Sequence, residues 1–155
     1  MIVFLSMASW MWVATSFTPT PGMSEIEVRQ ASRGCVDCHS KSDASTMHDS
    51  PAVALGCAHC HGGDASVRAE GFVRDSKEWL NSKTKAHVAP KNSELWKSSA
   101  NPEHTYAKWL KESPEFVRFV NPGDLRVAPE ACGGCHLEIV NAMERSLMTT
   151  SAMLW

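Results

Sequence analysis

Residues 34–63 read GCVDCHSKSDASTMHDSPAVALGCAHCHGG, and this stretch contains one five-residue pattern twice. The two copies are residues 35–39 (CVDCH) and 57–61 (CAHCH), and a third copy, CGGCH, occupies residues 132–136. Together they use all six cysteines of the 155-residue chain, and histidine directly follows each pair. A disulfide framework rarely places every cysteine three residues from another. The pattern therefore indicates metal, redox or prosthetic-group chemistry.

Cys-x-x-Cys-His is the signature of covalent c-type haem attachment. In one helical turn, positions i and i+3 lie on the same side, so two thiols can reach the two vinyl groups at one porphyrin edge. The histidine at i+4 then projects over the ring toward the iron. The chain is therefore predicted to bind three covalent haem c groups. The predicted attachment residues are Cys35, Cys38, Cys57, Cys60, Cys132 and Cys135, and the predicted proximal iron ligands are His39, His61 and His136.

Zinc is the main competing interpretation of these cysteines. The 18 residues between Cys38 and Cys57 match the spacer of a four-cysteine zinc site. The pair Cys132/Cys135 would then have no partner, and zinc does not explain the histidine after every pair. A thioredoxin-like redox function fits one such pair poorly and three not at all. The sequence favours haem.

Candidate distal ligands come from the remaining histidines, because a second histidine gives a six-coordinate iron suited to electron transfer. His48 lies in a polar loop between the first two motifs, and His87 lies just ahead of a break at Pro90. Both are predicted distal ligands. The alternative for each is an exposed loop histidine.

The other candidates are weaker. His59 lies inside a motif and is expected to point away from its own iron, and His104 follows a predicted helix cap and is more typical of a surface residue. No histidine is near His136 in the sequence, so Met148 is its candidate ligand, although methionines on an apolar segment usually fill a core. A histidine from a missing carboxyl-terminal part or from a partner is an equal alternative.

The ends of the chain differ from its middle. Residues 1–17 are apolar and uncharged, which is typical of a secretory signal peptide. No basic residue precedes this run, so we expect either that the true start lies upstream or that the segment is a weak membrane anchor. We interpret residues 18–33 as a linker and lead-in, and residues 34–155 as a triple-haem domain. That domain stops within an apolar stretch, so we expect it to be truncated at its carboxyl end.

The predicted fold is mainly α-helical with much irregular structure, in a multihaem cytochrome c architecture in which haems replace a conventional core. Single helical turns are expected at 34–63, and longer helices at 25–32, 75–85, from Asn101, between Ser113 and Gly123, and from Pro129 onward. Capping residues mark several of these starts. The net charge is −2, and acidic and basic residues are interspersed, so nothing indicates a nucleic-acid partner.

Two segments also resemble a known family. Residues 34–64 and the run SPEFVRFVNPGDLRV at 113–127 are similar to the amino-terminal region of large exported multihaem c-type cytochromes. The resemblance implies further haem motifs beyond Trp155, bis-histidine ligation through His48 and His87, and respiratory or extracellular electron transfer.

We therefore expect an exported electron carrier, in the periplasm or at the outer membrane and cell surface. Its partners would be redox proteins such as other cytochromes, and the amino-terminal segment could associate with a membrane. The rival expectation is the haem-containing subunit of an oxidoreductase that acts on a small nitrogen or sulfur species, which needs one haem with an open site. No motif marks such a site, so a carrier is favoured over an enzyme.

Overall fold

A computed structural model describes residues 23–41, 48, 50, 52–93 and 109–150. This part of the chain is mainly helical, has much irregular structure and contains no β-strand, as expected. Its helices, in chain order, are α1 (Glu25–Gln30), α2 (Cys35–His39), α3 (Cys57–His61), α4 (Lys77–Ala86), α5 (Pro114–Val120), α6 (Ala128–Ala131), α7 (Gly133–Glu144) and α8 (Leu147–Thr150). The expected signal or anchor at 1–17 and the helix from Asn101 lie outside the described residues.

Serine side chains begin three of these helices. Ser24 caps α1 in a reciprocal capping box with Glu27, Ser76 accepts a hydrogen bond from the Trp79 N–H in α4, and Ser113 caps α5. Such caps satisfy N–H groups that have no partner within the helix. The α4 helix starts two residues later than expected, because Asp75 adopts a left-handed φ of 67° and cannot belong to a right-handed helix.

The last predicted helix is divided. Ala128–Ala131 forms α6, Cys132 separates it from α7, and His136 has non-helical angles of φ −125° and ψ 25° inside α7. The expectation of one helix from Pro129 is therefore wrong. Gly133 and Gly134 follow Cys132, and glycine is a poor helix former, so the third motif weakens the helix that carries it.

The described residues bury few large apolar side chains. One small cluster contains Ala31, Ala58 and Ala65 with Cys35 packed against it. The largest fully buried side chains are Phe116, His59, Val117 and Val127. Helix α3 contacts both α5 and α6, and α6 packs against α7. The second motif therefore lies at the centre of the described fold.

Candidate haem-attachment site

The first two motifs are single helical turns, and the second is bonded to the segment that leads into the first. The Ala58 N–H donates to the Ala31 carbonyl at 2.9 Å, and the Cys57 N–H donates to Ser32 Oγ at 3.0 Å. The glycine before each motif lies against backbone that leaves no room for a side chain. A Cβ at Gly34 would lie 1.9 Å from the Val67 carbonyl oxygen, and one at Gly56 would lie 2.6 Å from that of Val28.

Cysteines from different motifs are neighbours. Cys35 and Cys57 share a hydrogen bond, which raises the pKa of Cys35 and lowers the pKa of Cys57 to about 5. Burial, followed by the nearby Cys132, raises the pKa of Cys60. The second motif therefore lies next to the first at Cys57 and approaches the third at Cys60.

Among the described residues, four histidine rings form two neighbouring pairs. The ring centres of His39 and His87 are 6.2 Å apart with planes at 34°, and those of His48 and His136 are 6.3 Å apart with planes at 2°. Two imidazoles that bind one metal from opposite sides have centres about 6.2 Å apart, since each metal–nitrogen bond is about 2.0 Å and each ring centre lies about 1.1 Å from its nitrogen. The ring separation in both pairs is therefore the one that two ligands of a single metal ion would have.

No histidine is near His136 in the sequence, but the fold brings one close to it. His48 precedes it by 88 positions, and the planes of the two rings are nearly parallel. Spacing along the chain cannot reveal this pairing, because the two residues meet only in the folded molecule. His104 lies outside the described residues, and so does the Met148 side chain.

His61 is held by the backbone of α5. Its Nδ1 lies 2.8 Å from the Phe119 carbonyl oxygen. A carbonyl only accepts hydrogen bonds, so Nδ1 must carry the proton, and a neutral ring then keeps the Nε2 lone pair for a metal. Ligating histidines commonly make such a bond with the nitrogen that does not bind the metal. Among the described residues, His61 belongs to neither of the two imidazole pairs.

Arg118 fastens the second motif to α5. Its guanidinium donates to the His59 carbonyl at 2.7 Å and to the Cys60 carbonyl at 3.0 Å, and it lies 3.6 Å from a Glu130 carboxylate oxygen in α6. The side chain is almost fully buried. These bonds satisfy carbonyls at the end of α3 that have no partner within the helix.

His59 has a structural position, and its ring is directed to the start of its own helix. It is fully buried, and its Nδ1 accepts a hydrogen bond from the Gly56 N–H at 2.8 Å. Burial lowers its pKa, so the ring is neutral near pH 7.

His87 is oriented by packing and by the loop that follows it. The Phe119 ring lies 4.9 Å from the His87 ring. Buried Glu112 accepts hydrogen bonds from the N–H groups of Lys91 at 2.7 Å and Asn92 at 3.4 Å, which holds the segment after His87. Burial, then His39 and Lys83, lower the pKa of His87 and favour the neutral form that a metal requires.

The first motif has its own support in Asp37. Arg68 donates two hydrogen bonds to this carboxylate at 2.8 and 3.0 Å, and the Ala69 N–H donates a third at 2.9 Å. The Arg68 bond is the main reason that the pKa of Asp37 is lowered. Sequence reasoning missed Arg68, Glu112, Arg118 and the Phe119 carbonyl. Only Arg118 left a signal, as a charged residue within the apolar run at 116–120.

No protein-family model matches the chain, and no curated protein or solved structure is significantly similar to it. The side chains described here include no group of three or more His, Cys, Asp or Glu residues placed to hold a metal ion. None of the described helices is long and apolar enough to cross a membrane.

Proposed function

We propose that the chain is an electron-transfer module of a c-type cytochrome that covalently binds three haems. The observation that carries this proposal is that two pairs of imidazoles, His39 with His87 and His48 with His136, have the ring separation of two ligands to one metal ion. Each pair contains the histidine of one Cys-x-x-Cys-His motif and a histidine from elsewhere in the chain. Zinc or disulfide chemistry requires no such pairing.

Each group of residues has a separate task in this proposal. Six thiols would anchor three porphyrins, and the motif histidines would each bind one iron. His87 and His48 would be the second iron ligands of the first and third haems. Haem, when bound, supplies an iron that cycles between its ferrous and ferric states. Phe119 and Arg118 hold the second motif, which contacts its neighbours through Cys57 and Cys60.

Export also belongs to this proposal. The apolar segment at 1–17 and the attachment chemistry support a location in the periplasm or at the cell surface, with other redox proteins as partners.

The test is the haem content of the purified protein. Mass spectrometry after acid–acetone extraction should show three retained haems, because thioether bonds survive that treatment. His61→Ala should alter one haem in optical and electron paramagnetic resonance spectra. His59→Gln, in the same motif, should leave the spectrum of three haems intact. Release of all haem into the solvent would overturn the proposal.

The alternative is a subunit of an oxidoreductase for small nitrogen or sulfur species. This alternative needs one haem with an open site, and the haem at His61 is the candidate, because the two imidazole pairs among the described residues do not include His61. Binding of nitrite or hydroxylamine to a five-coordinate haem at His61 would support this reading. A fully six-coordinate, low-spin protein that binds neither would support the carrier.

A further inference from the structure

An exposed patch on α4 and the loop before it has no task in haem binding. We name it the Trp79 patch, and it consists of Phe72, Val73, Arg74, Lys77, Trp79, Leu80 and Lys83. Two cations lie over the Trp79 ring, with the Arg74 guanidinium carbon 5.7 Å and Lys83 Nζ 5.6 Å from its centre. Such contacts join the loop and the helix into one surface.

The centre of the Trp79 patch is apolar and open to solvent. Val73 is 76% exposed, Leu80 is 46% exposed and Phe72 is 45% exposed. The loop that carries Phe72 and Val73 includes two left-handed residues, Gly71 at φ 79° and Asp75 at φ 67°. A non-glycine residue in that region costs free energy, so the chain maintains a strained turn where it displays apolar side chains.

The rim of the patch is basic. Within the stretch that forms the patch, residues 72–83, the chain has three basic side chains (Arg74, Lys77 and Lys83) against two acidic ones (Asp75 and Glu78). Trp79 and Lys83 are one helical turn apart, as are Leu80 and Lys83, so these three share one side of α4. Asp75 is the acidic residue of the loop itself. The chain as a whole is acidic, so this basic segment differs from the rest of the molecule.

The patch adjoins a candidate iron ligand. The His87 N–H donates to the Lys83 carbonyl at 3.1 Å, so His87 follows Lys83 by one turn at the end of α4. A molecule seated on Trp79 and Lys83 would be close to the paired rings of His39 and His87. An electron donor or acceptor benefits from this proximity, whereas a purely structural partner does not.

We infer that the Trp79 patch is the docking surface for an acidic electron-transfer protein that exchanges electrons at the His39–His87 site. The inference rests on the proposed function. A basic rim around an apolar centre suits a protein with an acidic surface, because opposite charges guide the encounter and apolar contact completes it. Weak redox complexes bury little area, which this small patch can supply.

The test uses the holoprotein and a reduced plant-type ferredoxin as an acidic one-electron donor. Stopped-flow absorbance follows haem reduction at an ionic strength of about 10 mM, where the Debye length is about 30 Å. The variant Lys77→Glu/Lys83→Glu should slow the second-order rate by about 10–100-fold. Salt at about 0.5 M should remove most of that difference.

A matched variant separates local from global charge. Arg29→Glu/Arg145→Glu makes the same change in net charge at exposed positions on other elements, and it should alter the rate by less than about threefold at low salt. Equal slowing by both variants, or no slowing by either, would overturn the inference. Binding of the wild type, but not of the Lys77/Lys83 variant, to vesicles of anionic lipid without any effect on ferredoxin kinetics would assign the patch to a membrane and overturn it too.

The two proposals fail in different ways. Haem count and reduction by dithionite test the proposed function without any docking partner. Three haems that dithionite reduces in every variant, with ferredoxin rates insensitive to the patch, would remove the docking surface and leave the cytochrome. A wild-type protein without covalent haem would remove the cytochrome itself.

Discussion

The second and third motifs have the same signature but different surroundings. The second motif, on α3, contacts α5 and α6, and its His61 is bonded to the Phe119 carbonyl while Arg118 binds its last carbonyls. The third begins a helix with two glycines, its His136 interrupts the helical geometry, and most of residues 134–139 are exposed. The second motif is therefore held by contacts with other helices, whereas the third motif is exposed to solvent.

This contrast shows that the motif and the residues around it have different effects. The five-residue signature specifies which residues can bind a haem, whereas distant residues determine how each ligand is oriented. His61 has a well-defined tautomer and no described imidazole opposite it. His136 has an imidazole opposite it, and that imidazole belongs to a loop 88 positions earlier. We therefore expect the second site to depend on α5 and the third to depend on His48.

The largest expected effect comes from removing a facing histidine. His48→Ala should convert the haem at His136 from low-spin to high-spin, and His87→Ala should do the same to the haem at His39, because each loses an axial ligand. About one third of the haem absorbance should change in each case, and carbon monoxide should bind that fraction after reduction.

Double variants test the pairing itself. His48→Ala/His136→Ala should perturb a single haem, whereas His48→Ala/His39→Ala should perturb two, as counted by magnetic circular dichroism. If both double variants perturb two haems, His48 serves another iron and the geometric pairing does not describe the holoprotein.

The next largest effect concerns the glycines that precede or follow the motif cysteines. Gly34→Ala should destabilise the protein by about 3 kcal/mol or more, since its Cβ would lie 1.9 Å from a backbone oxygen and neither atom can move freely. Gly133→Ala should be neutral or stabilising by about 0.5–1 kcal/mol, because its nearest contact is 3.5 Å away and alanine favours a helix. Thermal unfolding of matched holoproteins measures both changes. Equal effects would mean that the first and third motifs are equally crowded.

Much of the coarse fold was predictable from the sequence. Ser113 and Pro114 marked the start of α5, and the Gly-rich spacing around Cys35 and Cys57 indicated single helical turns, because capping and turn preferences are local properties. The break at Cys132 was missed, although Gly133 and Gly134 contained the signal.

The site was predictable only in part, and for a physical reason. His39, His61 and His136 follow from the motif, and these assignments stay predictions until haem is measured. The partner of His136 and the bonds of Arg118 depend on contacts between residues far apart in the chain, and no local pattern encodes such contacts. Glu112 is similar, since it binds backbone N–H groups about 20 positions away.

A smaller effect should follow the loss of Arg118. Arg118→Ala should lower the free energy of unfolding by about 2–3 kcal/mol, because it removes charge-assisted bonds to the His59 and Cys60 carbonyls and leaves these groups poorly satisfied. The spectrum of the haem at His61 should broaden or shift, while that at His136 stays unchanged. Arg145→Ala, at an exposed position after α7, is the control and should cost less than about 0.5 kcal/mol. Identical losses in the two variants would contradict a special role of α5 at the second motif.

The smallest expected effect concerns Asp124. This residue links the segment before α5 to the start of α6, which connects the surroundings of the second motif to those of the third. Its carboxylate accepts hydrogen bonds from the Arg126 guanidinium at 2.9 Å and from Trp109 Nε1 at 2.8 Å. Arg126, before all other causes, lowers the pKa of Asp124 from 3.8 to about 2.

Because the pKa of folded Asp124 lies below its unfolded value, the stabilisation is fully present above about pH 5 and is lost as the pH falls through about 2. Asp124→Asn should therefore cost about 2 kcal/mol at most near pH 7, since the pair is partly exposed, and almost nothing near pH 2. Chemical unfolding of both holoproteins at the same pH cancels the titration of the axial histidines and of Asp37. A difference between wild type and variant that stays constant from pH 7 to pH 2 would show that this link is held by packing of Trp109 rather than by the charge of Asp124.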